Sequence, residues 1–140
     1  MDKLKILVTG AGAPGIAGTI YSLQNNFDNR PVEIIGTDCN PDAVGKDLCD
    51  SFYHILKSDT EFYLCFLKAL CNLLKIDLII PQNTGELLIL SIDKIEFSCP
   101  IMVSNYLPIK YANDKSIING MNFKNFSSFY PGGCVTKIID

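Results

Sequence analysis

The aliphatic run Leu4–Thr9 stops at Gly10-Ala11-Gly12-Ala13-Pro14-Gly15, and Gly15–Phe27 then carries Ile16, Ile20 and Leu23 at helical spacing. No other feature restricts the fold as much. An aliphatic run without polar alternation suits a strand covered on both faces, as inside a parallel sheet. Ile16, Ile20 and Leu23 share one face of a helix that can supply one of those covers. A chain that leaves a strand through a helix returns as a parallel neighbour by a right-handed crossover.

The pattern recurs along the chain. Val32–Asp38 reads as a second strand, and Cys39-Asn40-Pro41-Asp42 after it is loop chemistry, with Asn40 held extended by Pro41. Ser51–Leu56 is a short third strand. Glu61–Lys75 reads as a helix, apolar over most of its circumference, with Asp59 or the better-placed Thr60 as its cap. Asp77–Pro81 is a fourth strand, a helix runs from Thr84 to about Lys94, Pro100–Ser104 is a fifth strand, and a helical piece spans about Asn113 to Asn119. Such alternation specifies a doubly wound α/β domain with a mainly parallel sheet of about five strands. Phe123, Phe126, Phe129 and Tyr130 are then interleaved with polar residues before Pro131-Gly132-Gly133 breaks the chain. Residues 1–120 therefore read as the domain and 121–140 as a linker or docking tail.

A length of 140 residues suits one domain of this kind. With 48% apolar and 19% charged residues, the surplus of apolar side chains goes either into a well-buried sheet or into surface that meets another domain or subunit. A net charge of −3 without a cluster of Lys or Arg argues against nucleic acid or an acidic membrane as partner. No apolar run is long enough to cross a bilayer, and the N-terminus has no signal-peptide cleavage pattern. Cys39, Cys49, Cys65, Cys71, Cys99 and Cys134 lie far apart, with no Cys-x-x-Cys and with His54 as the single histidine. No metal site is expected from them; reduced, buried thiols in a cytoplasmic protein are.

Ligands of α/β sheets sit beyond the carboxyl ends of the strands, where the first glycine turn lies. Gly10 permits the tight turn, Gly12 lets a ligand oxygen approach the backbone, and Gly15 allows close helix–strand packing. Asp38 ends the second strand 23 residues beyond Gly15, roughly where a dinucleotide fold places its ribose-binding acid. Pro14 removes one N–H from such a cradle, although its fixed φ suits a first helical turn. On pattern alone the turn holds NAD, another anion, or nothing. Asp38 reads as a ligand contact or as the cap of its own turn; Glu86 reads as a substrate contact or as a first-turn residue favoured by the helix dipole. His54 reads as structural.

The ordered segments ILVTGAGAPG, IIGTDCNPDAVG, DLIIPQNTGELLIL and YANDKSIING resemble, over roughly residues 4–120, the N-terminal portion of ATP-grasp ligases similar to the large chain of carbamoyl-phosphate synthase. The resemblance implies a pre-ATP-grasp domain, a Rossmann-like three-layer α/β unit that forms one wall of an active site. The complete enzyme of that family activates a carboxylate as an acyl phosphate with Mg-ATP and couples it to an amine or related nucleophile. By this likeness Gly10, Gly12 and Gly15 match the turn that faces the acceptor substrate or its phosphate, and Pro14 fits the family's version of the loop. Asp38, Pro41, Ala43, Val44 and Gly45 match the segment after the second strand. Glu86 matches one acidic residue where many relatives carry a pair; Gly85 stands in the neighbouring place. Lys115 matches a lysine that contacts ATP phosphates, a task that suits a flexible point charge.

The likeness also implies what else is needed. The ATP-grasp fold, with its adenine pocket and magnesium ligands, lies outside this sequence, so the chain is expected to be a cut-down piece, the product of an interrupted gene, or a stand-alone domain that works with a partner. No catalytic residue, no tight binding of ATP or Mg, and no ligase turnover are expected of it alone; its partners would be an ATP-grasp domain and a small-molecule acceptor, and a homodimer is left open. Two other classes stay in view. One is a small NAD(P)-binding domain, against which the Tyr-x-x-x-Lys pair of short-chain dehydrogenases occurs only as Tyr111–Lys115, behind the fifth strand. The other is a non-catalytic interaction module.

Overall fold

The computed structural model describes residues 2–114. Its elements run β1 (Leu4–Thr9), α1 (Ile16–Gln24), β2 (Val32–Asp38), β3 (Ser51–His54), α2 (Tyr63–Leu74), β4 (Leu78–Pro81), α3 (Thr84–Asp93) and α4 (Tyr106–Asn113), with single 3₁₀ turns at Lys46–Leu48 and Lys94–Glu96. The four strands are all parallel and lie in the order β3-β2-β1-β4.

Period-two alternation in the strands builds the layers. Ile6, Val8, Ile34 and Ile80 point to one face and are closed by Ile16 and Ile20 of α1. Leu7, Ile35 and Ile79 point to the other, where Tyr63, Leu67, Leu70 and Cys71 of α2 and Leu90 of α3 cover them. Helix α4 packs on α3. Each fully buried aliphatic side chain in these two clusters contributes on the order of 1.5–3 kcal/mol relative to exposure. The three-layer, mainly parallel α/β domain expected from the sequence is thus observed.

The fifth strand is not. Pro100–Ser104 reaches β4 through one parallel bridge, Ile79 with Ile101, in which Ile79 N–H donates to Pro100 O and Met102 N–H donates to Ile79 O. Val103 N–H then turns back onto Ile101 O, and the ladder ends. β3 stops at His54 because its partner β2 ends at Asp38, whose carbonyl takes the last bond, from Ile55 N–H. α1 ends at Gln24, short of Phe27, because Asn25 and Asn26 turn their side-chain amides onto the carbonyls of Tyr21, Leu23 and Arg30.

Thr60 does not cap α2. Its hydroxyl donates to Lys57 O at 2.6 Å, and the helix starts at Tyr63 with no side-chain cap. Asn83 does cap α3, its Oδ1 accepting from Gly85 N–H at 2.8 Å. Asn83→Ala is therefore expected to cost about 1 kcal/mol, while Thr60→Ala stays within about 0.5 kcal/mol of the parent; paired urea titrations measure both. Helix α4 was not anticipated: Pro108 sits in its first turn, where a missing N–H is tolerated. Of the expected helical piece Asn113–Asn119, Asn113 ends α4 and Asp114 is already extended; its remaining residues, with Lys115, Cys134 and the 121–140 tail, lie outside the described residues.

Candidate functional site

From β1 the chain moves outward to β2 and β3, then returns to the other side of β1 for β4. That reversal places a switch point between β1 and β4, and the loops after β1, β2 and β4 diverge around a crevice at the carboxyl ends of the strands. Two adjoining hollows share Asp38 and Asn83. One, of about 360 Å³, lies among Gly12, Pro14, Asn40, Gln82 and Thr84; the other, of about 300 Å³, lies among Gly10, Cys39, Lys57, Ser58, Gly85 and Glu86.

Gly10 is indispensable to this corner. Its φ is +68°, and a Cβ there would stand 2.9 Å from Asn83 Cβ, 3.0 Å from Asn83 N and 3.0 Å from Glu86 Oε2. The end of β1 and the start of α3 approach each other through that missing side chain.

The remainder of the turn is committed to its own structure. Ala11 N–H donates to Thr37 O and Ala13 N–H to Gly10 O. Gly12 N–H donates to Asp38 Oδ2 at 2.7 Å, and Asp38 Oδ1 accepts from Asn40 N–H at 2.8 Å. The oxygen that approaches Gly12 closely is therefore the carboxylate of Asp38, which both caps its own turn and pins the glycine loop. A pyrophosphate would find this N–H taken and a negative charge in its place. Gly15 does not make the expected close approach to the sheet: no atom lies within 4 Å of a Cβ built there. It faces a separate, open groove with Gly18, Thr19, Leu23, Ile80 and Met102. The close approach is made by Gly45, where a Cβ would meet Ala11 O at 2.5 Å and Ile16 Cγ1 at 2.8 Å.

Under the crevice lies a buried polar group. Glu86, in the first turn of α3, is 6% exposed, and Oε2 accepts from Thr9 Oγ1 at 2.8 Å. The buried Tyr63 hydroxyl makes no hydrogen bond of good geometry, yet lies near enough to both groups to influence the carboxyl. Burial pushes the Glu86 carboxyl above the ordinary range; Thr9 and Tyr63 pull it partly back, and the Asp38 charge adds to the rise. Burial and the Glu86 charge raise the Tyr63 phenol well above its usual range. Cys39 is no activated nucleophile, since burial and Asp38 raise its thiol. His54 Nε2 donates to Cys39 O at 2.9 Å, which ties β3 to the loop after β2.

The structure thus brings Gly10, Gly12, Asp38 and Glu86 to one crevice and leaves Gly15 on a neighbouring groove. Asn83, Thr9 and Tyr63 were not singled out for roles in the sequence, and Gly45 entered only as part of the matched segment after β2. Asn83 had a readable signal, an Asx residue directly before the Thr84 helix start. The others carry none at short range. Among the described residues no three His, Cys, Asp or Glu side chains gather to hold a metal ion. Of the turn's N–H groups, those of Ala11, Gly12 and Ala13 are already taken within the domain.

A family model described as "PylC-like, N-terminal domain" matches residues 6–103. The chain belongs to this family. That membership agrees with the pre-ATP-grasp domain expected from the glycine turn and the segments after it. Among solved structures, the domain is similar to N5-carboxyaminoimidazole synthetase from Staphylococcus aureus complexed with ADP, with a TM-score of 0.54, 20% identity, and 83% of this chain covered against 28% of that one. A second structure of the Staphylococcus aureus synthetase gives a TM-score of 0.53 and 18% identity, with 85% of this chain covered against 29% of that one. The chain therefore spans less than a third of those proteins, and the likeness is one of fold. No curated protein matches the sequence. The PylC-like N-terminal domain described here contains no helix, among its described residues, that is long and apolar enough to cross a membrane.

Proposed function

We propose that this domain is the substrate-side N-terminal wall of an ATP-grasp ligase, resembling that of the carbamoyl-phosphate synthase large chain, and that it presents its switch-point crevice to the acceptor. The observation that carries the reading is Asp38 accepting from Gly12 N–H, inside a domain whose residues 6–103 match the PylC-like N-terminal family. It turns a loop shaped like a dinucleotide cradle into a polar wall lined by Asp38, Asn40, Asn83 and the Gly10 turn. In the complete enzyme ATP and Mg, held by the catalytic ATP-grasp domain, supply the phosphoryl group that activates a carboxylate. This chain's residues orient the acceptor: Gly10, Gly12 and Asp38 shape the wall, Glu86 supports it from below, and Lys115 is offered to the ATP phosphates. Five free cysteines among the described residues suit a reducing cytoplasm.

The test is a set of amide NMR spectra of the chain titrated with small amines and amino acids. Shifts are expected at Gly10–Ala13, Asp38–Asn40 and Asn83–Glu86. Shifts confined to the groove around Gly18, Ser22 and Met102 would remove the reading.

A further inference from the structure

Beneath the crevice, the hydrogen-bonding capacity of the buried side chains does not close on itself. Thr9 and Thr37 are both 0% exposed and Tyr63 is 1% exposed. Among the described residues, the Thr37 and Tyr63 hydroxyls are the buried side-chain polar groups that meet no hydrogen-bond partner. Register brings the two together. Thr37 is the Cα partner of Thr9 across the β1–β2 ladder. Side chains alternate between faces, so both threonines lie on the face of Leu7 and Ile35, which α2 covers. Tyr63, in the first turn of α2, brings its hydroxyl against Thr9 and Glu86. Thr9 gives its one hydroxyl proton to Glu86 Oε2 at 2.8 Å, so it donates to neither Thr37 nor Tyr63.

We propose that one buried water bridges the Thr37 and Tyr63 hydroxyls, with Thr9 Oγ1 as its third partner. Burying a hydroxyl without a partner is costly, and protein interiors hold ordered waters where two to four polar groups converge. The span suits the register. Two O–H···O bonds of about 2.8 Å that meet at a water join oxygens roughly 4.5–5 Å apart, one strand spacing. Tyr63 meets Thr9, and Thr37 stands one strand spacing from Thr9. The chemistry of the site favours water over a cation. Three hydroxyls, each able to donate or accept, match the two donors and two acceptors of a water molecule. A cation would need a full negative charge beside it, whereas burial drives the neighbouring Glu86 carboxyl toward its neutral form. The bridge joins β2 and α2 to the Thr9–Glu86 pair, so four elements form one connected floor. It lies under the crevice and not in it, and it stands independently of the function proposed for that crevice.

Oxygen-17 relaxation dispersion of the full chain tests this, because it registers long-lived water oxygens and is blind to exchange of hydroxyl protons. At about one buried water per 27 residues, a chain of 140 residues holds roughly five. Thr37→Val and Tyr63→Phe each remove a hydroxyl and keep the shape, and each is expected to lower the dispersion amplitude by about one fifth. Urea titrations of the same variants complete a double-mutant cycle. Each single variant lowers the ratio of folded to unfolded chain by roughly fivefold. The double variant lowers it by well under the product of the two, since both changes remove the same water. Unchanged dispersion in Thr37→Val overturns the proposal. So does a Thr37→Val chain more stable than the parent, the outcome for a hydroxyl buried dry, and so do strictly additive losses in the cycle. Should Tyr63→Phe fail to fold, the dispersion and stability of Thr37→Val decide the matter alone.

Discussion

Gly10→Ala is expected to destabilise the domain by about 2–5 kcal/mol. A non-glycine residue in the left-handed region costs roughly 1–2 kcal/mol, and Gly10 sits at φ +68°. The added methyl also meets Asn83 Cβ at 2.9 Å and the Asn83 backbone nitrogen at 3.0 Å, neither of which is the free end of a flexible chain. Overpacking of that kind costs about 1–3 kcal/mol. For a domain of this size the sum lowers the melting temperature by roughly 7–17 °C. Gly15→Ala is the control: no φ in the left-handed region, no neighbour within 4 Å, and an expected change within about 0.5 kcal/mol. Thermal unfolding followed by circular dichroism measures both. Equal effects at the two glycines would mean that the turn is not clamped between β1 and α3.

The second large effect belongs to Glu86. Burial holds its carboxyl above the ordinary range, so the folded state keeps the proton that the unfolded chain releases near pH 4.3. Between that point and the folded midpoint the native state binds more protons, and stability falls as pH rises. The contribution is complete below the unfolded midpoint and is lost as pH rises through the folded one. Glu86→Gln keeps a carbonyl to accept from Thr9 and carries no charge, so it flattens this dependence and exceeds the parent in stability above the folded midpoint. Glu86→Ala leaves the Thr9 hydroxyl buried without its acceptor and opens a void, at a cost of about 2–4 kcal/mol. Carbon-13 NMR of the Glu86 side-chain carboxyl reads the midpoint directly. A midpoint at or below the ordinary carboxylate range contradicts the assignment.

Much of the fold is legible at short range. Leu4–Thr9 and Val32–Asp38 are bounded as read, because aliphatic runs that end in glycine or in an Asp before a loop leave little choice. The fifth strand was over-read because Pro100 and Ile101 satisfy a strand pattern, while the number of ladder bonds depends on how the chain leaves β4. Thr60 has a cap's chemistry but spends its hydroxyl on Lys57, a choice made by a turn that local preference does not reveal. The reading of Asp38 as the cap of its own turn corresponds to its bond from Asn40 N–H, whereas the longer-range bonds at the crevice had no local signal. Nothing near Gly12 announces that its N–H goes to Asp38, 26 residues away. Nor does the Gly45 neighbourhood announce that Ala11 and Ile16 press against it. The apolar girth of α2 was legible as composition, but its division into a buried and an exposed stripe needed the sheet in place.

The sharpest division is between a wall that meets an acceptor and a cradle that holds a dinucleotide. Calorimetric titration of the chain with NAD(H) and NADP(H) separates them. With Gly12 N–H held by Asp38, no binding heat is expected from any of the four nucleotides. Low-micromolar affinity for any one of them, abolished by Asp38→Ala, would show that the loop opens to take a pyrophosphate and would contradict the assignment to a ligase wall.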